Sequence, residues 1–386
     1  MLKRQDGYIL EHVCGKSYLL PYGQKIADLK KGVLLNETGE FFWNMLETPH
    51  DIDTLCQLFA EHYEIADNDI LALRQDLISF SEELLHTGIL CKDPAPLNSN
   101  KTKNLMIAGQ RIRLSGPGET FCKEFLPFCV NDTANDDSVD LEIDIMPGTP
   151  PNHLNGTVLL RNKELVVIEH NTGYILLFPT LDRIAEAYIS KDGHYARIYC
   201  KYTFDEQTRE QLFFAIRPCF LYKAQCNGCF AIHSASILYN GQAWLFSGHS
   251  GMGKSTHTTL WHELFGTPYL NGDLNLVGFQ DQTPVVYGIP WCGTSELFTT
   301  NTHPLGGIVM LERGNTDRIA DLQTHEKILQ IMQRMISPSW SSILLKKNLS
   351  FASELTEQIT VFHLFCTKEP SAAQVMKKEI DKFLHF

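Results

Sequence analysis

Residues 248–255 are the part of the chain whose types and spacing most clearly predict chemistry. They read Gly-His-Ser-Gly-Met-Gly-Lys-Ser and match the phosphate-loop pattern GxxxxGKS at every position. The glycines let the backbone approach phosphate closely, and successive N–H groups at the start of a helix form an anion nest. The motif therefore predicts binding of a nucleoside triphosphate or diphosphate. The residues predicted to contact it are Gly248, Ser250, Gly251, Gly253, Lys254, Ser255 and Thr256.

Three side chains have specific predicted roles at the phosphates or at their metal ion. Lys254 supplies a positive charge to the β and γ phosphates, and the Ser255 hydroxyl is predicted to bind magnesium. A magnesium nucleotide site also needs a nearby carboxylate, and Asp273 lies where the next strand is expected. We therefore predict Asp273 as a metal ligand or a base, and its alternative role is that of a turn aspartate beside Gly272.

His233 lies in a strand, residues 230–239, that precedes the predicted loop. The dipeptide Asn240-Gly241 is a strong hairpin signal, and a second strand, residues 243–247, runs directly into the loop. A lone histidine in a strand is usually structural. The hairpin nevertheless brings His233 beside the strand that feeds the loop, so His233 is a candidate for facing the nucleotide.

The rest of the C-terminal block, residues 226–386, follows an α/β pattern around this loop. Its first helix is predicted to end at Gly266 and to bury Leu260, Trp261, Leu264 and Phe265. The later elements are strands near 269–279, 285–288, 307–311 and 360–365, with helices at 324–336 and from about 371. Residues 105–225 are predicted to form an antiparallel β layer with a loop at 131–153 and a helix at about 205–222.

The N-terminal block, residues 1–92, is predicted to be a small winged-helix-like α+β module. Short alternating strands lie between residues 8 and 35, and Asn36 caps the first of three amphipathic helices. The third helix ends at Gly88. Residues 93–104 contain two prolines and a polar run, which is typical of a linker between domains.

Charge and composition restrict the partners that the chain can bind. The net charge of −12 disfavours double-stranded nucleic acid and anionic membrane surfaces as partners. Neither a signal peptide nor an apolar run long enough for a membrane helix is evident, so we expect a cytoplasmic protein.

The eleven cysteines are odd in number and scattered. Cys226 and Cys229 form the one close pair, which a tight turn explains better than a metal or redox site.

Several segments together resemble the HPr kinase/phosphorylase superfamily, and most closely its serine-kinase-like branch, which includes kinases of peptide natural-product precursors. The matching segments are 233–241, 246–257, 270–273, 287–294 and 304–312. The resemblance covers about 230–312 well and 105–386 loosely. It implies a phosphoenolpyruvate-carboxykinase-like α/β P-loop kinase domain and magnesium-dependent phosphoryl transfer to a serine hydroxyl. His233 would then help at the phosphates, and Asp273 would bind metal or activate the hydroxyl. The family usually has two adjacent aspartates where this chain has Gly272-Asp273.

The N-terminal block is similar to a different family, the PqqD-like peptide-recognition elements of ribosomal peptide modification systems. The similarity rests on Leu35-Asn-Glu-Thr-Gly-Glu-Phe-Phe-Trp-Asn-Met-Leu and on the helix that ends Leu85-His-Thr-Gly-Ile-Leu. That family binds a leader peptide as an added strand between its third strand and third helix. By position, the open edge would lie near Lys30–Leu35. The alternative is a winged-helix-like spacer.

Taken together, the two resemblances imply an ATP-dependent kinase that phosphorylates a serine or threonine of a ribosomally made precursor peptide. The implied ligands are magnesium and ATP or another nucleotide, with Asp273, His233 and Lys254 as catalytic residues. The implied partners are a leader peptide, other peptide-modifying enzymes and, by family analogy, further copies of the chain. Two alternatives are a leader-peptide adaptor with a degenerate kinase site and a kinase of free serine or a metabolic protein.

Overall fold

The structure is a computed structural model that describes residues 2–5, 7–48, 50–66, 69–92, 100–130, 139–150, 156–201 and 205–384. The chain divides into two compact units, Met1–Asn98 and Ser99–Phe386. Among the described helices, none combines the length and the apolar character that a bilayer crossing requires.

The first unit is a small α+β module. Its elements are β1 (Leu2–Arg4), β2 (Tyr8–Val13), β3 (Lys16–Pro21), α1 (Gln24–Ala27), β4 (Val33–Leu35), α2 (Glu37–Met45), α3 (Ile52–His62), α4 (Ile70–Thr87) and β5 (Leu90–Lys92). Strands β2, β3 and β4 form an antiparallel meander in that order, and β1 pairs with β5. Buried side chains of α2 and α3, including Phe42, Trp43, Leu55 and Phe59, form the core of this unit.

The helix ends of this unit lie at the residues that the sequence predicts. The Asn36 side chain accepts a hydrogen bond of 2.8 Å from Gly39 N, which satisfies one free donor at the start of α2. At the other end of the module, Gly88 stops α4 in the left-handed conformation, with φ of 74°. The structure therefore confirms both predicted boundaries.

The second unit begins with an eight-stranded sheet and one long helix. Its elements are β6 (Asn100–Ile107), β7 (Gln110–Pro117), β8 (Leu141–Pro147), β9 (Thr157–Arg161), β10 (Val166–Glu169), β11 (Gly173–Leu177), β12 (Ile184–Ser190), β13 (Tyr195–Cys200) and α5 (Glu206–Cys226). The strand order is β6-β7-β8-β13-β12-β11-β10-β9. The predicted antiparallel layer is wrong in one respect, because β8 pairs in parallel with both β7 and β13.

Two strands of this sheet lie where the sequence predicts irregular structure. Strand β6 occupies the second half of the predicted linker 93–104, whose residues 93–99 lie outside the described chain. Strand β8 lies inside the predicted loop 131–153, of which residues 131–138 and 151–153 are also outside. The apolar residues of β8 alternate and are buried, as in Leu141, Ile143 and Ile145. The Asp, Asn and Pro residues that flank β8 obscured this short period.

The second unit continues with a seven-stranded sheet and four helices. Its elements are β14 (Phe230–Tyr239), β15 (Gln242–Ser247), α6 (Lys254–Phe265), β16 (Leu274–Gln280), β17 (Thr283–Tyr287), β18 (Thr302–Arg313), β19 (Arg318–Ala320), α7 (Thr324–Met332), α8 (Ser342–Gln358), β20 (Thr360–Cys366) and α9 (Pro370–Leu384). The order is β15-β14-β16-β17-β18-β20-β19, and β15 also pairs with β18 in parallel. The first half of β18 pairs with β17, and its second half pairs with β15 and β20.

Two predicted boundaries in this part need correction, and one helix was missed. Helix α7 ends at Met332 rather than at 336, because Ile336 N bonds to Ala231 O of β14 at 2.9 Å. The strand predicted from 269 begins at Leu274. Helix α8 was not predicted at all. Its buried face includes Asn348, whose side-chain oxygen Oδ1 accepts a hydrogen bond of 2.7 Å from Gln225 Nε2. A polar residue therefore interrupts the apolar periodicity of this helix.

Candidate phosphate-binding site

The glycine-rich loop, residues 248–253, joins the carboxyl end of β15 to the start of α6. Gly251 and Gly253 have φ of 75° and 94°, a region that side chains other than glycine rarely occupy. His257 N donates to Gly253 O at 2.8 Å, which closes the first turn of α6 directly after the loop. The first N–H groups of an α-helix have no partner within the helix, and this is the arrangement that commonly binds anions.

Pairing of β14 with β15 brings His233 to the loop. The turn residues Asn240 and Gly241 have φ of 51° and 75°, which fits the predicted two-residue hairpin. The hairpin register sets Ser234 opposite Ser247, the last residue before the loop. Ser247 Oγ also donates to His233 O at 2.7 Å. His233 is therefore held at the base of the glycine-rich loop.

The other edge of β14 brings Asp273 to the same place. Strand β16 pairs antiparallel with β14, and His233 stands opposite Leu274, the residue after Asp273. The Asp273 carboxylate oxygen Oδ1 lies 3.4 Å from His233 Nδ1. Two candidate residues that are distant in sequence thus meet, because the pairing of β16 with β14 brings Asp273 to the end of the sheet where β14 holds His233.

Burial and the same neighbouring charges shift the pKa values of Lys254 and His233. Burial lowers the pKa of Lys254, and nearby Arg334 lowers it further, whereas the Asp273 carboxylate raises it. Burial also lowers the pKa of His233, followed by repulsion from Lys254, while Asp273 again opposes the shift. At neutral pH the His233 imidazole is therefore uncharged and able to accept a proton.

Sequence reasoning missed two arginines beside the loop. Arg334 Nη1 donates to His249 Nδ1 at 3.1 Å, and Arg313 Nη2 donates to Gly251 O at 3.0 Å. Arg313 ends β18, which runs parallel to β15, so a charge at the end of a parallel apolar strand was an available signal. Arg334 lies beyond α7, and the hydrogen bond from His233 N to Arg334 O, at 2.8 Å, holds its backbone beside the site.

A cavity of about 480 Å³ adjoins the glycine-rich loop on the side of Arg313. Its walls come from the loop, from α6 and from the ends of β18 and β20. The residues that line it are Gly251, Met252, Gly253, Thr256, His257, Arg313, Gly314, Asn315, Cys366, Thr367 and Lys368. The cavity has the size of a small-molecule site and lies at the carboxyl ends of parallel strands, where α/β proteins bind ligands.

The remaining predicted residues lie on or just after the loop. The side chains of Ser250 and Ser255 are exposed, and Thr256 is half-buried. Among the described residues, no group of three or more His, Cys, Asp or Glu side chains could hold a metal ion without other ligands. A magnesium ion bound by the Ser255 hydroxyl, the Asp273 carboxylate and nucleotide phosphates fits this donor set, since magnesium prefers oxygen ligands and few carboxylates.

Cys226 and Cys229 are free thiols in the structure. Burial raises the pKa of Cys229 to about 11, and burial also raises the pKa of Cys226. Both thiols are therefore protonated at neutral pH, whereas metal binding and redox exchange use the thiolate.

Comparison with known families and structures gives one clear assignment, and it concerns the first unit. Residues 26–90 match the family model described as coenzyme PQQ synthesis protein D (PqqD). The N-terminal unit is a PqqD-type domain. The open edge that we predicted near Lys30–Leu35 lies within the matched residues, where β4 is the terminal strand of its sheet.

One solved structure gives a weaker match to the chain. The structure of the HPr(Ser) kinase/phosphatase from Coxiella burnetii aligns at 12% identity over 22% of this chain and 61% of that chain, with a TM-score of 0.19. The alignment thus spans less than two thirds of that protein. No curated protein matches the chain.

Proposed function

We propose that this protein is an ATP-dependent kinase that phosphorylates a serine or threonine hydroxyl of a ribosomally made precursor peptide. The observation that carries the proposal is the cluster of Lys254, His233, Asp273 and Arg334 at the glycine-rich loop. Phosphoryl transfer needs positive charge around the phosphates and a group that orients or deprotonates the attacking hydroxyl. This cluster supplies both in one place.

The residues divide naturally between the nucleotide and the acceptor. The backbone of residues 248–253 would hold the phosphates, and the cavity beside Arg313 would hold the nucleoside. Ser255 and Asp273 would bind a magnesium ion, which neutralises phosphate charge when it is present. Lys254 and Arg334 add fixed positive charge beside the γ-phosphate position.

The acceptor hydroxyl would react beside Asp273 and His233. Its oxygen forms a bond to the γ-phosphorus while the bond from that phosphorus to the bridging oxygen breaks, and ADP leaves. The hydroxyl proton passes to the Asp273 carboxylate, and the neutral His233 imidazole, 3.4 Å away, is the next acceptor in line. A depressed pKa keeps His233 available for this role at neutral pH.

The PqqD-type domain supports a peptide as the acceptor. Strand β4 ends its sheet, and the neighbouring Lys30 Nζ donates to Thr87 O at the end of α4, 3.3 Å away. The open edge and the end of α4 thus border one surface. Leu34 on β4 is 53% exposed and Leu29 is 86% exposed, so apolar contacts are available to an added strand. Main-chain pairing with such an edge is how extended peptides are bound.

The test combines purified protein, magnesium-ATP and, as candidate precursors, the short peptides encoded beside its own gene. We expect phosphate mass on one serine or threonine. Asp273→Asn should lower the rate by about 100-fold or more, while nucleotide affinity measured by calorimetry without magnesium changes little. The exposed Asp281→Asn, on the turn after β16, is the matched control and should leave the rate unchanged.

A second candidate is a leader-peptide adaptor that binds nucleotide without transferring phosphate. Position 272 favours it, because the structure has a single carboxylate, Asp273, where two adjacent ones would strengthen metal binding. Calorimetric binding of magnesium-ATP with no phosphate on the peptide would contradict the kinase and support this adaptor.

A further inference from the structure

A second cavity, of about 510 Å³, lies next to the candidate site. Its walls are the β9–β10 turn, the segment between β11 and β12, helix α5 and residues 336–340. The lining is mainly apolar and includes Leu165, Phe178, Phe214, Leu221 and Trp340. It shares no described lining residue with the cavity beside Arg313. A nucleoside held at the glycine-rich loop therefore leaves this cavity free for another ligand.

The chain that follows α7 connects this cavity to the phosphate cluster. Arg334 O accepts the hydrogen bond from His233 N, and two residues later Ile336 N donates to Ala231 O at 2.9 Å. The short segment 334–336 thus runs along β14. It holds Arg334 beside the glycine-rich loop and Ile336 in the cavity wall.

Helix α5 makes a second connection. Trp291 Nε1 donates to Phe213 O on α5 at 3.0 Å. The same loop continues to Gly293, where a Cβ would stand only 2.8 Å from Asp273 Cβ. Arg217, one turn along α5 and in the cavity wall, lies within electrostatic range of Asp273 and Glu164, whose carboxylates oppose the burial that lowers its pKa.

Two polar groups in the cavity wall lack partners among the described residues. The Arg217 guanidinium lies 5.7 Å from the Phe214 ring, and no hydrogen bond or ion pair of the described chain engages it. The buried indole N–H of Trp340 has no acceptor there either. Buried donors are normally paired, so the Trp340 N–H favours a ligand that brings an acceptor oxygen into an otherwise apolar cavity, and the half-buried Arg217 can donate to the same ligand.

We infer that this cavity is the acceptor subsite, and that it takes an aromatic or large aliphatic side chain adjacent to the phosphorylated hydroxyl of the peptide. This inference rests on the proposed kinase function. A peptide fits the lining better than a free amino acid, because the apolar walls bind a side chain while main-chain carbonyls can accept from Trp340 and Arg217. The position beside Asp273 and Arg334 would direct the neighbouring hydroxyl to the phosphates.

The test uses the full-length protein and acetyl-X-Ser-amide probes in which X is Phe, Leu, Gly or Asp. Transfer is measured with labelled ATP, and binding is measured by saturation-transfer NMR with a magnesium complex of a non-hydrolysable ATP analogue. Burial of X should make the Phe and Leu probes bind at least about tenfold more tightly than the Gly and Asp probes. It should also make them at least about tenfold more efficient acceptors of phosphate.

Two tryptophan variants test the location. Ser339→Trp, at an exposed position in the cavity wall, should abolish the preference for Phe and Leu by raising KM. Ser350→Trp, at an exposed position on α8 outside this cavity, should retain the preference. Nucleotide affinity should be the same in both variants and in the natural chain.

The outcomes separate the subsite from the kinase activity. Transfer to all four probes without preference, or a preference that Ser339→Trp leaves intact, would overturn the subsite and leave the kinase proposal standing. Binding of the Phe probe that Ser339→Trp abolishes, without any transfer, would support the subsite and contradict the kinase. If none of the probes binds and none is phosphorylated, the subsite is overturned.

Discussion

At the scale of single residues, steric packing explains why position 272 is a glycine. A Cβ built there would stand 1.8 Å from Ser295 Oγ and 2.7 Å from Ser295 Cβ. Ser295 is held in place, because its hydroxyl donates to Cys292 O at 2.7 Å. The turn that follows Trp291 therefore occupies the space that a side chain at position 272 would need, and Asp273 has no carboxylate beside it in the chain.

This packing predicts that a second aspartate cannot simply be restored. Gly272→Asp should lower the melting temperature, because a side chain at 272 displaces Ser295 and the turn beside it. The double variant Gly272→Asp with Ser295→Gly removes the clashing atoms and should recover part of the loss. Thermal denaturation of the natural chain, both single variants and the double variant gives the coupling between the two positions. Additive losses would contradict this account.

At the scale of elements, helix α6 carries a buried histidine behind the glycine-rich loop. His257 is 1% exposed and stacks on Phe246 of β15, with ring centroids 5.9 Å apart. Neither ring nitrogen has a partner among the described residues. Burial lowers the pKa of His257 to about 4, so the helix start that holds Lys254 and Ser255 rests on a neutral imidazole.

The histidine predicts an acid-sensitive stability. Between pH 6.5 and about 4 the unfolded chain binds a proton at His257 that the folded chain does not, so the free energy of unfolding falls as pH falls through this range. The full effect of such a shift is roughly 3 kcal/mol. Urea denaturation at pH 7.5, 6 and 5 measures it.

A matched pair of variants isolates the contribution of His257. His257→Phe keeps the ring stack and should flatten the pH dependence of unfolding. His325→Phe, at an exposed position on α7, should leave that dependence as it is. A pH dependence that is equally steep in both variants would assign the effect to other groups.

At the scale of the whole molecule, the chain consists of two compact units with separate cores. The core of the first unit is built from residues 2–90 alone. The main core of the second unit extends from Leu105 to Leu344, so its eight-stranded sheet shares buried side chains with β14, β16 and α8. Each unit can therefore carry its own binding function.

This organisation predicts that the units can be separated by function. Deletion of residues 1–98 should leave nucleotide affinity unchanged but reduce phosphorylation of the full precursor by about 100-fold or more, because the leader no longer raises the local peptide concentration. A precursor that lacks its leader is the control, and the deletion should not change its slower phosphorylation. Equal rates on the full precursor would favour a substrate that the first unit does not bind.

The sequence by itself determined the features that depend on residues adjacent in the chain. The glycine-rich loop, the Asn240-Gly241 turn and the helix ends at Asn36 and Gly88 were predictable, because turns, caps and anion nests are made by a few consecutive residues. The sequence also predicted Asp273 and His233 as candidates, since motif spacing and a hairpin limit where their strands can lie.

Only the tertiary structure decided which side chains meet. Strand β14 brings Asp273 within 3.4 Å of His233, and contacts across 62 and 85 residues bring Arg313 and Arg334 to the glycine-rich loop. The parallel insertion of β8 and the cavity lined by Phe178 and Trp340 also depend on such long-range pairing. Local propensity carries no information about which distant strands pair, because that choice is made by the burial of the whole sheet.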